Sequence, residues 1–134
     1  MTEKEKLETQ KEAQILQNLD HPNIIKCKEF FISQKPTLTL NIVTEYADGG
    51  DLSLKIKSQP KKEPIAESTI LDLFTQICLS IKHIHDKHII HRDLKSQNIF
   101  LTKSVLVKLG DFGIAQCLQN PYQNAKAIIG TPYY

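Results

Sequence analysis

Residues 91–100 read HRDLKSQNIF, a histidine, two cations, a carboxylate and amides set between the apolar pairs Ile89-Ile90 and Ile99-Phe100. Carboxylates accept protons and hold cations, while guanidinium and ammonium groups meet anions. A surface turn explains the polarity of this stretch but not its mixture. Polar loops held between rigid apolar anchors are frequent carriers of chemistry. A second carboxylate comes in Asp111-Phe112-Gly113, directly after the run VLVKL at 105–109.

These groups need elements that hold them in place. From Ala66 to about His85 apolar residues fall at 70, 71, 74, 77, 78, 81 and 84. That is a 3.6-residue period, which predicts a helix central to the core. Pro64 precedes it, and Glu67 and Ser68 suit its first turn. Upstream, residues 2–19 are rich in Glu, Lys, Gln and Leu and predict a helix stopped by HPN at 21–23. IIKCKEFFI (24–32) and LTLNIVTEY (38–46) predict two strands joined as a hairpin through QKPT. IFL (99–101) and VLVKL predict short strands, and 110–134 an extended loop.

The 134 residues suit one domain. With 40% apolar and 24% charged residues, the composition is globular. A net charge of +2 gives no argument for nucleic acid or an anionic membrane. No apolar run approaches a membrane span, and the charged start MTEKEKLETQKE is unlike a signal peptide. The expectation is a cytoplasmic chain with no nucleic-acid or membrane partner. Cys27, Cys78 and Cys117 lie far apart and fit reduced thiols. His83, His85, His88 and His91 lack the i, i+4 spacing and companion cysteines of a helical metal site. The KSQPKKEP stretch reads as a solvated linker.

The order HRDxxxxN, short strands, then DFG resembles the catalytic centre of a eukaryotic protein kinase. Taken alone, each triplet is weak; jointly ordered at consistent spacing, they are specific. DLKSQNIFLTKS, KLGDFGIA and GTPYY are together similar to the NimA-related Ser/Thr kinases. That resemblance implies an α+β, protein-kinase-like fold. It implies ATP-dependent phosphoryl transfer to Ser/Thr of a protein substrate, where positioning and charge neutralisation matter more than covalent chemistry. By the same resemblance, Asp93 is the base that orients the substrate hydroxyl, and Lys95 contacts the transferred phosphate. Asn98 and Asp111 correspondingly supply hard oxygen ligands for Mg²⁺. In the family pattern Thr44 is the gatekeeper residue, and Glu45 and Ala47 offer hinge backbone groups to the adenine of ATP. Asp51 there bonds the ribose, and Phe100 lies beneath the base. Glu12 matches the helix glutamate that pairs an ATP-anchoring lysine, and His91 matches a packing residue that supports Phe112. Arg92 matches the arginine that ordinarily holds a phosphorylated activation loop, but Ala127 stands where the family often has a threonine.

No G-x-G-x-x-G segment precedes Glu12 and no A-P-E comes after Tyr134. The expectation is therefore a partial domain: a small-lobe remnant with one helix and two strands (1–46), a hinge (47–51), and the larger lobe through the activation loop (52–134). Large apolar side chains left wet cost about 1.5–3 kcal/mol each, so such a chain alone is expected to fold poorly. Two alternatives stand beside the enzyme: a non-catalytic, kinase-derived binding module, and an inactive gene fragment.

Overall fold

The computed structural model describes residues 10, 13–33, 39–60, 63–112 and 116–117. Helix α1 (13–17) buries Ala13 and Leu16, with Leu19 just beyond it, and ends before His21-Pro22. The next segment joins the centre of the molecule. Leu109 N donates to Asn23 O at 2.8 Å and Ile25 N donates to Leu109 O at 2.8 Å. This parallel bridge explains why strand β1 spans only Cys27–Ser33, where the sequence predicts a start at residue 24. Residues 24 and 25 are committed to that bridge. Strand β2 (Thr39–Thr44) pairs antiparallel with β1, with a bulge between Cys27 and Glu29.

Asp51 caps the short helix α2 (Leu52–Lys57), its Oδ1 accepting from Leu54 N at 2.9 Å. The long helix α3 runs Glu67–Asp86, close to its predicted bounds. Its packing differs from the expected single stripe. Leu73, Ser80 and Ile84 are the buried positions, while Ile70, Leu71 and Phe74 are more than half exposed. The helix is apolar on more than one face. The 73/80/84 face meets the central strands, and Ile70, Phe74 and Ile77 instead line an apolar groove with Leu52, Ile56 and Ile65.

Beyond α3, strand β3 (Ile89–Ile90) leads into the polar loop. A 3₁₀ turn (Ser96–Asn98) then enters β4 (Ile99–Leu101), which pairs with β5 (Val107–Leu109). The β5 strand begins two residues later than the sequence predicts. Val105 sits at φ 63°, in the left-handed region that a β-branched residue seldom adopts, and the chain there closes a turn. β6 (Gln116–Cys117) pairs with β3, inside a stretch expected to be loop. Ile24, Ile84, Leu101, Val107, Leu109 and Phe112 form the heart of the core. Among the described residues no helix is long and apolar enough to cross a membrane.

Candidate active site

The loop after β3 is built around the buried His91. Asp93 N donates to its Nδ1 at 3.2 Å. Nδ1 is thus the acceptor, so Nε2 carries the proton and donates to Gly110 O at 2.9 Å. The His91 ring meets Phe112 at 4.7 Å between centroids. Burial pushes the imidazole below its usual range, outweighing the bond to Gly110 and the charges of Asp111 and Asp93. A neutral, single-tautomer ring therefore ties the first carboxylate's loop to the strand carrying the second.

Asp93 and Asn98 meet directly. Asn98 Nδ2 donates to Asp93 O at 2.9 Å and to Asp93 Oδ2 at 3.0 Å. Two acceptors on that side fix the orientation of the amide, so its carbonyl oxygen points away from Asp93. Lys95 Nζ lies 3.1 Å from Asp93 Oδ2, with side-chain exposures of only 19% and 13%. The main-chain oxygen of Asn98 accepts from Gly110 N at 3.0 Å, which places residue 98 beside the segment bearing Asp111. Asp111 and Arg92 both take left-handed backbone, at φ 55° and 65°.

A cleft of about 310 Å³ opens next to this cluster. It is lined by Ile25, Thr44, Glu45, Tyr46, Ala47, Phe100, Gly110 and Asp111. Gly110 must lack a side chain here, because a Cβ would come within 2.7 Å of the Phe100 ring. The predicted residues Glu45, Ala47, Phe100 and Asp111 thus share one cavity wall. Asp51 does not line it; it caps α2 and bridges Phe100 through its backbone. Glu12, Gly113, Ala127 and the GTPYY segment lie outside the described residues.

Sequence reasoning missed the groups that brace this cleft. Lys108 Nζ donates to Glu45 Oε1 at 2.8 Å, with side-chain exposures of 13% and 30%. Burial pushes the Glu45 carboxyl up, but the bonds from Lys108 and Lys26 N and both lysine charges outweigh it and hold it below the usual glutamate range. A lysine between the buried Val107 and Leu109 was the available signal, since such a cation needs a partner. Asn23 and Gln76 gave none. Asn23 Nδ2 donates to Gln76 Oε1 at 2.9 Å and to Val107 O at 3.1 Å.

The donor set suits a hard divalent cation. Asp111 is exposed to the cleft and the Asn98 carbonyl oxygen faces away from Asp93. Among the described residues no cluster of three or more His, Cys, Asp or Glu side chains forms a metal cage. Mg²⁺ is usually held by one or two carboxylates together with waters and substrate phosphates; Asp111 would supply such a carboxylate and Asn98 a further hard oxygen.

The family model for the protein kinase domain matches residues 1–134. The chain is 50% identical over its whole length to serine/threonine-protein kinase Nek1 of Mus musculus, spanning 11% of that protein. It is 49% identical over 94% of its length to Nek3 of Mus musculus, spanning 24% of it. In the crystal structure of the yeast RNA Pol II CTD kinase CTDK-1 complex, one chain matches with a TM-score of 0.70 and 34% identity, over 84% of this chain and 35% of that one. The chain thus spans a quarter or less of these two curated relatives.

Proposed function

Since this chain belongs to the protein kinase domain family, we propose that it takes part in ATP- and Mg²⁺-dependent phosphoryl transfer to serine or threonine of a protein substrate. The observation that carries this reading is the bonded set Asp93, Lys95 and Asn98, joined through Gly110 to the cleft lined by Glu45, Ala47, Phe100 and Asp111.

Asp93 acts as the base. Its carboxylate is oriented by Asn98 and charge-balanced by Lys95, so it stays aimed while a substrate hydroxyl approaches. Lys95, held 3.1 Å away, meets the transferred phosphoryl group. Asn98 and Asp111 hold Mg²⁺, which when bound neutralises charge on the phosphates. Phe100 and the hinge backbone at 45–47 flank the adenine. Asp51 has its Oδ1 engaged by Leu54 N, and its second oxygen is the one that serves the ribose. A cytoplasmic location belongs to the same proposal.

The test is a Mg²⁺-dependent ATP phosphotransfer assay with Asp93→Asn as control. A loss of about 10²–10⁴-fold is expected on removing a general base. Equal rates in the two proteins would remove the enzymatic reading.

A further inference from the structure

His21 begins the segment that stitches the first part of the chain to the rest. Its Nδ1 accepts from Asn23 N at 3.0 Å, and its main-chain oxygen accepts from Ile24 N at 3.1 Å. The turn so formed presents Asn23, whose side chain bonds Gln76 of α3 and Val107 O and whose carbonyl accepts from Leu109 N. The bond to Nδ1 needs a lone pair there, so the closed turn holds a neutral ring with its proton on Nε2. That ring lies 5.0 Å between centroids from His83 of α3, at a tilt of 41°. His83 Nε2 is buried and finds no hydrogen-bond partner among the described residues, so the two rings share no proton through that atom. The surroundings oppose a cation on His21: burial, then His83, then Lys108 all push its imidazole below the usual range. The acids on these elements are engaged elsewhere. Asp20 pairs with Lys26, Glu45 with Lys108, and Asp86, which interacts with His83, with Lys82.

We propose that His21 and His83 form a pH-sensitive joint between the 21–25 segment and α3, closed while His21 is neutral and opened when it takes a proton. Once protonated, Nδ1 becomes a donor facing the Asn23 N–H, and the bond that shapes the turn is lost. The new charge also lies against a second imidazole and within reach of a lysine. In the opened joint the ring is hydrated and returns to the ordinary histidine range. Because the closed ring lies below that range, falling pH favours opening and rising pH restores closure. One proton can shift the opening equilibrium by at most about ten-fold per pH unit. The consequence reaches the cleft, since β5, held by Asn23, leads directly into Gly110 and Asp111. The joint is independent of whether the cleft binds ATP.

The experiment is amide hydrogen exchange read by mass spectrometry on the full-length protein, with each rate referred to that of the unstructured chain at the same pH. Peptides covering 20–26 should lose protection by up to about ten-fold per pH unit as pH falls from about 7 to 5. Peptides covering 73–84 of α3 should keep theirs. His21→Asn retains a side-chain acceptor for the N–H two residues on, as in an Asx turn, without a titrating group. Protection of 20–26 in that variant should not vary with pH. Protection of 20–26 that is flat in the wild type, or lost as steeply in His21→Asn, would overturn the inference. So would an equal loss across α3, which marks unfolding of the whole rather than opening of a joint. Should His21→Asn fail to fold, His83→Phe is read in its place. It keeps a ring beside His21 and removes the second imidazole, so a shallower acid loss supports the joint and an unchanged one opposes it.

Discussion

Gln76 is a polar residue midway along a helix, and replacing it should cost far more than such a position normally does. Its Oε1 accepts from Asn23 Nδ2 at 2.9 Å and from Val107 N at 2.8 Å. Val107 is fully buried, and Asn23 is 4% exposed. In Gln76→Ala the Asn23 amide keeps its bond to Val107 O, whereas Val107 N–H loses its side-chain acceptor. A buried donor left unsatisfied costs about 1–3 kcal/mol, and the lost bond to Asn23 adds about 1 kcal/mol. Gln76 itself is half-buried, so water relieves part of the sum. The expected destabilisation is about 2–3 kcal/mol in equilibrium denaturant unfolding. Asp72→Ala removes only the exposed Asp72–Gln76 bond and should stay within about 0.5 kcal/mol. A double-mutant cycle with Asn23→Ala should give a coupling of about 1 kcal/mol. A cost below about 0.5 kcal/mol for Gln76→Ala, or strict additivity with Asn23→Ala, would refute the reasoning.

The same geometry sets further outcomes. Asn98→Ala, which removes both the brace on Asp93 and an oxygen donor, should raise the Mg²⁺ concentration needed for half-maximal phosphotransfer by about 10–100-fold, read from a Mg²⁺ titration. Gly49→Ala would drive a Cβ to 2.5 Å from the main-chain oxygen of Thr102. It should destabilise by about 2–3 kcal/mol, seen as a lowered thermal midpoint. Burial depresses the affinity of His91 and His21 for protons, so the unfolded chain takes up protons first as pH falls. Stability should be independent of these groups above the ordinary histidine range and decline below it. The limiting slope is about 1.4 kcal/mol per pH unit for each group, and unfolding free energies between pH 7.5 and 5 should show a shallower slope in His91→Gln.

The parts legible in the sequence were those whose chemistry is local. HRDLKSQN carries much of its geometry within eight residues, because Asp93 bonds to Lys95 and Asn98 through its side chain and to the His91 ring through its N–H. The hairpin and α3 were legible because period and turn residues announce them. The apolar period of α3 did not say which side faces the core, since a helix greasy on several sides has no single answer until its neighbours are placed. Two-residue strands such as β3 and β6 carry no period at all. The brace from Lys108 to Glu45 joins residues 63 apart in sequence, and that from Asn23 to Gln76 joins residues 53 apart. Such pairings are set by topology, which no short window contains.

The stitching of residues 23–25 onto β5 bears on how the two sides of the hinge hold together. Tyr46 is 88% exposed, an accessible place for a protease to nick the backbone. The pieces on either side of such a nick would still share Asn23 with Gln76 and Val107, Ile25 with Leu109, and Glu45 with Lys108. A nicked molecule should therefore elute from a sizing column as one particle. The same reasoning marks the bond after Tyr46 as a place to divide the gene into two co-expressed halves that find each other again.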